Sequence, residues 1–166
     1  MERVIKILQS IDRKGMDSVI DYLRQSNYAT ARGGSHHTYK GGLVDHSLEV
    51  YNLMLERRGT IAEESVAICA LLHDLGKTRC ADHHPRGKHP ARAIAILKRC
   101  GLSLTADEHN AILHHHTISR DYLTNPLRHC LSSSDMTSTG KWKLAHPATN
   151  PLKQLKNSLL YTFSKW

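Results

Sequence analysis

The 166-residue sequence predicts a single all-α domain, and three observations carry that expectation. Apolar residues recur three and four apart along nearly the whole chain, the spacing of one helical face. No stretch shows the Val/Ile/Thr alternation of a strand. Two segments open on a threonine with a glutamate three residues later, Thr60/Glu63 and Thr105/Glu108, the pattern of a helix capping box.

The elements follow in order. Val4, Ile5, Ile7, Leu8 and Ile11 make one short amphipathic face, and Val19, Ile20, Tyr22 and Leu23 make the next. "ATARGGSHHTYKGG" breaks the pattern and reads as a loop, with Gly33, Gly34, Gly41 and Gly42 as turn formers. From Leu43 a long helix runs through "LVDHSLEVYNLMLERR", with Leu43, Val44, Leu48, Tyr51 and Leu55 on one face. Thr60 then caps "IAEESVAICALLHDLGK", which ends near Gly76. "CADHHPRGKHP" is a polar, proline-containing loop, and "PARAIAILKRC" a helix stopped by Gly101. Thr105 opens "LTADEHNAILHHH", "NPLRHCLSSSDMTS" supplies another helix, "TSTGKWKLAHPATN" is a connection, and "NPLKQLKNSLLYTFSKW" is a last amphipathic helix.

Composition narrows the class. Apolar residues make up 40% and aromatics 5%, enough for a core built mainly of Leu, Ile, Val and Ala. No apolar run approaches the ~20 residues that span a bilayer. The charged start "MERVIKILQSIDRK" lacks the shape of a signal peptide, so a cytoplasmic protein with no membrane partner is expected. The four cysteines contain no C-x-x-C pair and read as free, buried thiols. A formal charge of +8 favours anionic ligands without choosing among them.

The 13 histidines are the anomaly. His46 lies one turn into the long helix, His73 and Asp74 end the apolar one, and His89 starts the next. His115 and His116 follow at a helix end, and Asp135 sits late in the helix after that. Each consecutive helix thus offers one or two ligands, which is how a bundle assembles a metal site in its core. Successive residues point about 100° apart on a helix, so His73 and Asp74 can face one ion only at a helix end. An imidazole-and-carboxylate set without thiolate suits Mn, Fe, Ni, Zn or Mg. So many ligands exceed one tetrahedral ion and suggest two divalent metal ions, with Asp74 as candidate bridge. The run His114–His116 leaves its register open, with Ile112 and Leu113 on the core face favouring His115 and His116. His83, His84, His109, His129 and His146 read as surface residues.

The order H…HD…D, here His46, His73-Asp74 and Asp135, resembles the signature of the HD-domain superfamily of metal-dependent phosphohydrolases. His89 and His115-His116 resemble the additional ligands of its two-metal branch. "HHTYKGGLVDHSLEV" is similar to a segment of the HD domain of bacterial 3′-to-5′ exoribonucleases, whose OB-fold has no counterpart here. The likeness covers residues 34–138; residues 1–33 are N-terminal helices and 141–166 a C-terminal extension of one HD domain. It implies an HD-type helical bundle that hydrolyses a phosphomono- or phosphodiester with metal-activated water. The seven named residues would hold metal, and Asp74 and Lys77 would be catalytic. Lys77, with His37 and Tyr39 from the loop, would contact the substrate.

A lone domain offers little surface for long RNA, so a nucleotide, cyclic nucleotide or short RNA or DNA oligonucleotide is the expected partner. Two other readings stand beside it: a mixed-valent di-iron oxygenase with a similar ligand set, and a non-catalytic nucleotide-binding module.

Overall fold

The computed structural model describes residues 1–80, 85–117, 122 and 124–146. Among these, seven α-helices form the domain: α1 Glu2–Gln9, α2 Met16–Gln25, α3 Gly42–Arg57, α4 Glu63–Leu72, α5 His89–Arg99, α6 Ala106–His114 and α7 Pro126–Ala145. Short 3-10 turns stand at Tyr28–Thr30 and Leu75–Lys77. The all-α expectation holds, and none of these helices is long and apolar enough to cross a membrane.

α4 is the axis of the bundle. Its residues Val66 to Leu72 are all at most 2% exposed, so beyond its first turn no face of it meets water. A helix apolar on every side must lie in the core; α1, α3, α6 and α7 all pack against it. Each fully buried Leu or Ile here contributes roughly 1.5–3 kcal/mol relative to exposure.

The ends of the helices are fixed locally. Thr105 and Glu108 form the expected reciprocal cap of α6: Glu108 N–H donates to Thr105 Oγ1 (3.1 Å) and Thr105 N–H to Glu108 Oε2 (2.8 Å). α5 stops as predicted at Gly101, whose φ of +71° is left-handed. Leu102 N–H donates to Leu97 O and Gly101 N–H to Lys98 O, both at 3.0 Å. This Schellman arrangement brings the buried Leu102 back toward Leu97.

Glu108 does more than cap. Fully buried, it also accepts from Arg13 (2.7 Å) and Ser65 Oγ (2.7 Å). Arg13 further bonds Glu64 (2.8 Å) and the Ser103 carbonyl (3.0 Å), which ties the α1–α2 link to α4 and α6.

Three expectations are corrected. Thr60 caps nothing: Gly59 at φ +54° starts a turn that Ile61 N–H closes on Arg58 O (2.9 Å), so α4 begins at Glu63 after Ala62. At its other end α4 stops at Leu72, and the chain tightens into the 3-10 turn rather than running to Gly76. The connection expected from Thr137 is helical through Ala145. Gly140 in a helix interior costs about 1 kcal/mol relative to Ala, but burial of Trp142 against the ring of His37, 5.7 Å away, offsets it. Asp135 is accordingly mid-helix. The predicted last helix, His83 and His84 lie outside the described residues.

Candidate metal centre

His73 and Asp74 stand where α4 breaks. His73 closes the helix with αR angles and Asp74 departs from them (φ −99°, ψ 10°), so neighbouring side chains converge as two mid-helix residues could not. His73 Nε2 lies 3.4 Å from Asp74 Oδ2. On the same oxygen's side His46 Nε2 is 3.6 Å from Asp74 Oδ2 and 3.2 Å from Asp135 Oδ1. α3 supplies His46 and α7 supplies Asp135, and both helices pack on α4.

The other carboxylate oxygen faces a second group. His89 Nε2 is 3.2 Å from Asp74 Oδ1 and His115 Nε2 is 4.0 Å from it. His116 Nε2 lies 3.1 Å from His89 Nε2, while its Nδ1 is 3.7 Å from Asp135 Oδ2. This close approach of α5 depends on Gly76: a Cβ there would stand 2.0 Å from the His89 carbonyl oxygen.

Three of the imidazoles are held the same way round. His73 Nδ1–H donates to Ala70 O (2.9 Å) and His115 Nδ1–H to Ile112 O (2.7 Å). Ser138 Oγ donates to Glu49 Oε2 (2.7 Å) and so accepts from His46 Nδ1–H (3.0 Å). A ring whose Nδ1 carries the proton presents a bare Nε2, the form in which histidine ligates metal.

Those bare atoms are the telling ones. His46 Nε2, His73 Nε2, His115 Nε2 and Asp74 Oδ1 are buried and have no hydrogen-bond partner among the described residues. Orphaned buried polar atoms are costly, and here they point at one another. His46, His73 and Asp135 form one group able to hold a metal ion, and Asp74, His89, His115 and His116 another. Ligand atoms on one ion at bonds of about 2.1 Å are spaced roughly 3 Å apart, so the residues present fit divalent cations.

The electrostatics agree. Burial would raise Asp74, yet His73, Lys77 and His46 hold its carboxyl well below the usual range. Asp135 is likewise lowered against its burial by the neighbouring His46 and His73 imidazoles. Burial pushes His115 down to about 3 and His89 to about 4. His73 alone moves up: Asp74 overrides its burial, so the buried carboxylates draw positive charge to this spot.

All seven residues expected from the sequence as ligands thus come together. His46, His73 and His115 form the buried floor; side-chain exposures of 24% for His89 and 51% for His116 mark the open side. Lys77 Nζ donates to Asp74 Oδ2 (2.6 Å) and to the Gly33 carbonyl (2.7 Å). His37 is buried beside Glu49, not solvated in its loop. Tyr39 stands at the surface, 45% exposed, with its hydroxyl on Asp45 Oδ2 (2.8 Å). His114 is half-buried at the end of α6.

The sequence reading passed over His36, Glu49 and Ser138. Glu49 and Ser138 each lie three residues beyond a candidate ligand on the same helix, a usable signal. His36 appeared only as the first residue of the "HHTYKGG" segment, because a glycine-rich loop does not reveal that both members of its histidine pair turn inward.

A family model described as the HD domain matches residues 43–154; it begins after the loop that carries His36, His37 and Tyr39. No curated protein and no solved structure matches the chain.

Proposed function

Since this chain belongs to the HD domain family, we propose that it is a metal-dependent phosphohydrolase acting on a small phosphorylated substrate. A nucleotide, a cyclic nucleotide or a short oligonucleotide is the favoured class. One observation carries the reading: two ligand groups meet at the two oxygens of Asp74, with four buried atoms that lack any other partner.

His46, His73, Asp74 and Asp135 would hold one cation, and Asp74, His89, His115 and His116 a second. Such a pair supplies Lewis acidity toward phosphoryl oxygens and lowers the pKa of water near neutrality. The chain's own residues do the rest. The protonated Nδ1 atoms of His46, His73 and His115 fix which nitrogen faces inward. The apolar wall of α4 excludes water from beneath the site, which strengthens every charge interaction within it. An ammonium has three donors, and Lys77 uses two on Asp74 and Gly33. Its third is free to bind a phosphoryl oxygen arriving from the His89/His116 side, where charge develops as the ester breaks. This lysine favours phosphate over oxygen activation, and the complete ligand set disfavours a purely binding module.

Replacing Asp74 by Ala removes a ligand from both groups. Hydrolysis of bis-p-nitrophenyl phosphate and bound metal should both be lost in a protein whose circular dichroism is unchanged. Full activity in the folded variant would refute the assignment.

A further inference from the structure

We propose that His36 and His37 form a third position for a divalent cation, beside the two that share Asp74. The two rings are almost wholly buried, at 6% and 5% exposure. Their Nδ1 atoms face each other at 3.0 Å, the separation expected of two nitrogens on one ion with bonds of about 2.1 Å. A nitrogen of His46 lies within 4.8 Å of a nitrogen of each, and the His36 and His46 ring centroids are 4.4 Å apart.

The tautomer of His37 is set from outside. Its Nε2 is 3.4 Å from Glu49 Oε2, and a carboxylate there favours the tautomer that protonates this nitrogen and leaves Nδ1 bare. Glu49 is itself anchored by Ser138 (2.7 Å). A carboxylate behind an imidazole is the usual support of a metal-ligating histidine. One carboxylate thereby orients two histidines: His37 directly and His46 through Ser138.

A single N–H···N bond between the two rings would satisfy both nitrogens, but it does not account for how the loop is held. His37 has φ +48°, a conformation rarely adopted outside glycine. Gly33 N–H donates to the His37 carbonyl (3.0 Å), and Gly42 is required beneath it, since a Cβ there would come within 2.0 Å of that oxygen. Trp142 covers the outer side of the ring. Backbone, glycine and tryptophan together aim His37 inward.

The chemistry follows from the ligands. His46 Nε2 faces Asp74 and Asp135, so His36 and His37 are the position's own ligands, completed by water or a substrate oxygen. Two neutral imidazoles without a carboxylate select Ni²⁺, Co²⁺ or Zn²⁺ over Mg²⁺. With two like charges nearby, the third ion should bind more weakly and exchange more readily than its neighbours.

This inference rests on the two-ion reading only for the occupancy of those neighbours, and its test separates the two. Chelator-stripped full-length protein is titrated with NiCl₂ by calorimetry, with nickel counted by elemental analysis. Wild type should show two tight equivalents and a third at least about tenfold weaker. His36→Ala and His37→Gln should each lose only the third, with both tight equivalents and the helical circular dichroism retained. Two equivalents in wild type, or three in both variants, would overturn the third position. So would loss of a tight equivalent in His36→Ala, which would assign His36 to the neighbouring ion. Loss of the tight pair in wild type, with a weak His36-dependent equivalent retained, would sink the two-ion reading and leave this one standing.

Discussion

His46 and Ser138, 92 residues apart in the chain, meet at 3.0 Å in the core, where the serine hydroxyl accepts the Nδ1 proton of the imidazole. That contact decides which nitrogen of His46 faces Asp74 and Asp135. Ser138→Ala removes it and detaches Glu49 as well. Metal affinity should fall by roughly 10–100-fold, the usual cost of losing such a support. Stability should drop by about 1 kcal/mol. Competition with a chromophoric chelator measures the first, and urea unfolding the second. Unchanged affinity would mean that packing alone orients the ring.

Gly76→Ala probes the approach of α5. Its Cβ would lie 2.0 Å from a backbone oxygen of His89, which no rotamer can relieve. Destabilisation of about 1–3 kcal/mol is expected from overpacking, and His89 must move away from Asp74. Metal should be lost from the His89/His115/His116 group first. Elemental analysis of the folded variant would reveal this as about one equivalent missing.

Arg13 tests the clasp around α6. Arg13→Met leaves the fully buried Glu108 with only Ser65 and the Thr105 amide. Removing one partner of a buried pair costs about 3–5 kcal/mol, and the surviving bonds place this case at the lower end. Pairing it with Glu108→Gln should recover part of the loss. Metal content should not change, because neither residue belongs to the candidate centre. A melting temperature equal to wild type would show that the clasp is dispensable.

Acid should weaken the metal-free protein well above the carboxylate range. Burial holds folded His36 and His115 at about 3 and His89 at about 4, against an ordinary 6.5. Between those values the unfolded chain binds more protons, so stability falls as pH drops through 6.5 toward 4. The limiting slope is about 1.4 kcal/mol per pH unit for each histidine so shifted. His73, raised by Asp74, works the other way: its contribution is complete below 6.5 and fades as pH rises through its folded value. Burial lowers His37 and His116 in the same direction, and five against one gives net loss on acidification. Urea midpoints of chelator-treated protein at pH 7.5 and 5.0 measure it, and a flat profile would contradict it.

Much of this was readable from residue order. The helical spacing located all seven described helices, and the ligand series fell one or two to a helix, as a bundle site requires. What stayed hidden depended on context beyond the local pattern. Thr60/Glu63 and Thr105/Glu108 are the same motif, but Gly59 turned the first into a tight turn while the second capped α6. The segment from Thr137 read as a connection because what holds it helical, Trp142 against His37, spans about a hundred residues of chain. Lys77 read as a phosphate contact, but nothing in "HDLGK" told that it also bonds Asp74 and the loop carbonyl of Gly33.

α4, the most apolar of the described helices, ends directly in the turn that carries His73, Asp74 and Lys77, so the depth of the core and the aim of His73 and Asp74 are one mechanical unit. Two kinds of damage will therefore look alike in an assay of turnover: a slackened α4, and a preparation starved of its ions. Adding metal back restores the second and not the first. Any screen for hardier variants of this protein needs that refeeding step, or it will mistake loose packing for broken chemistry.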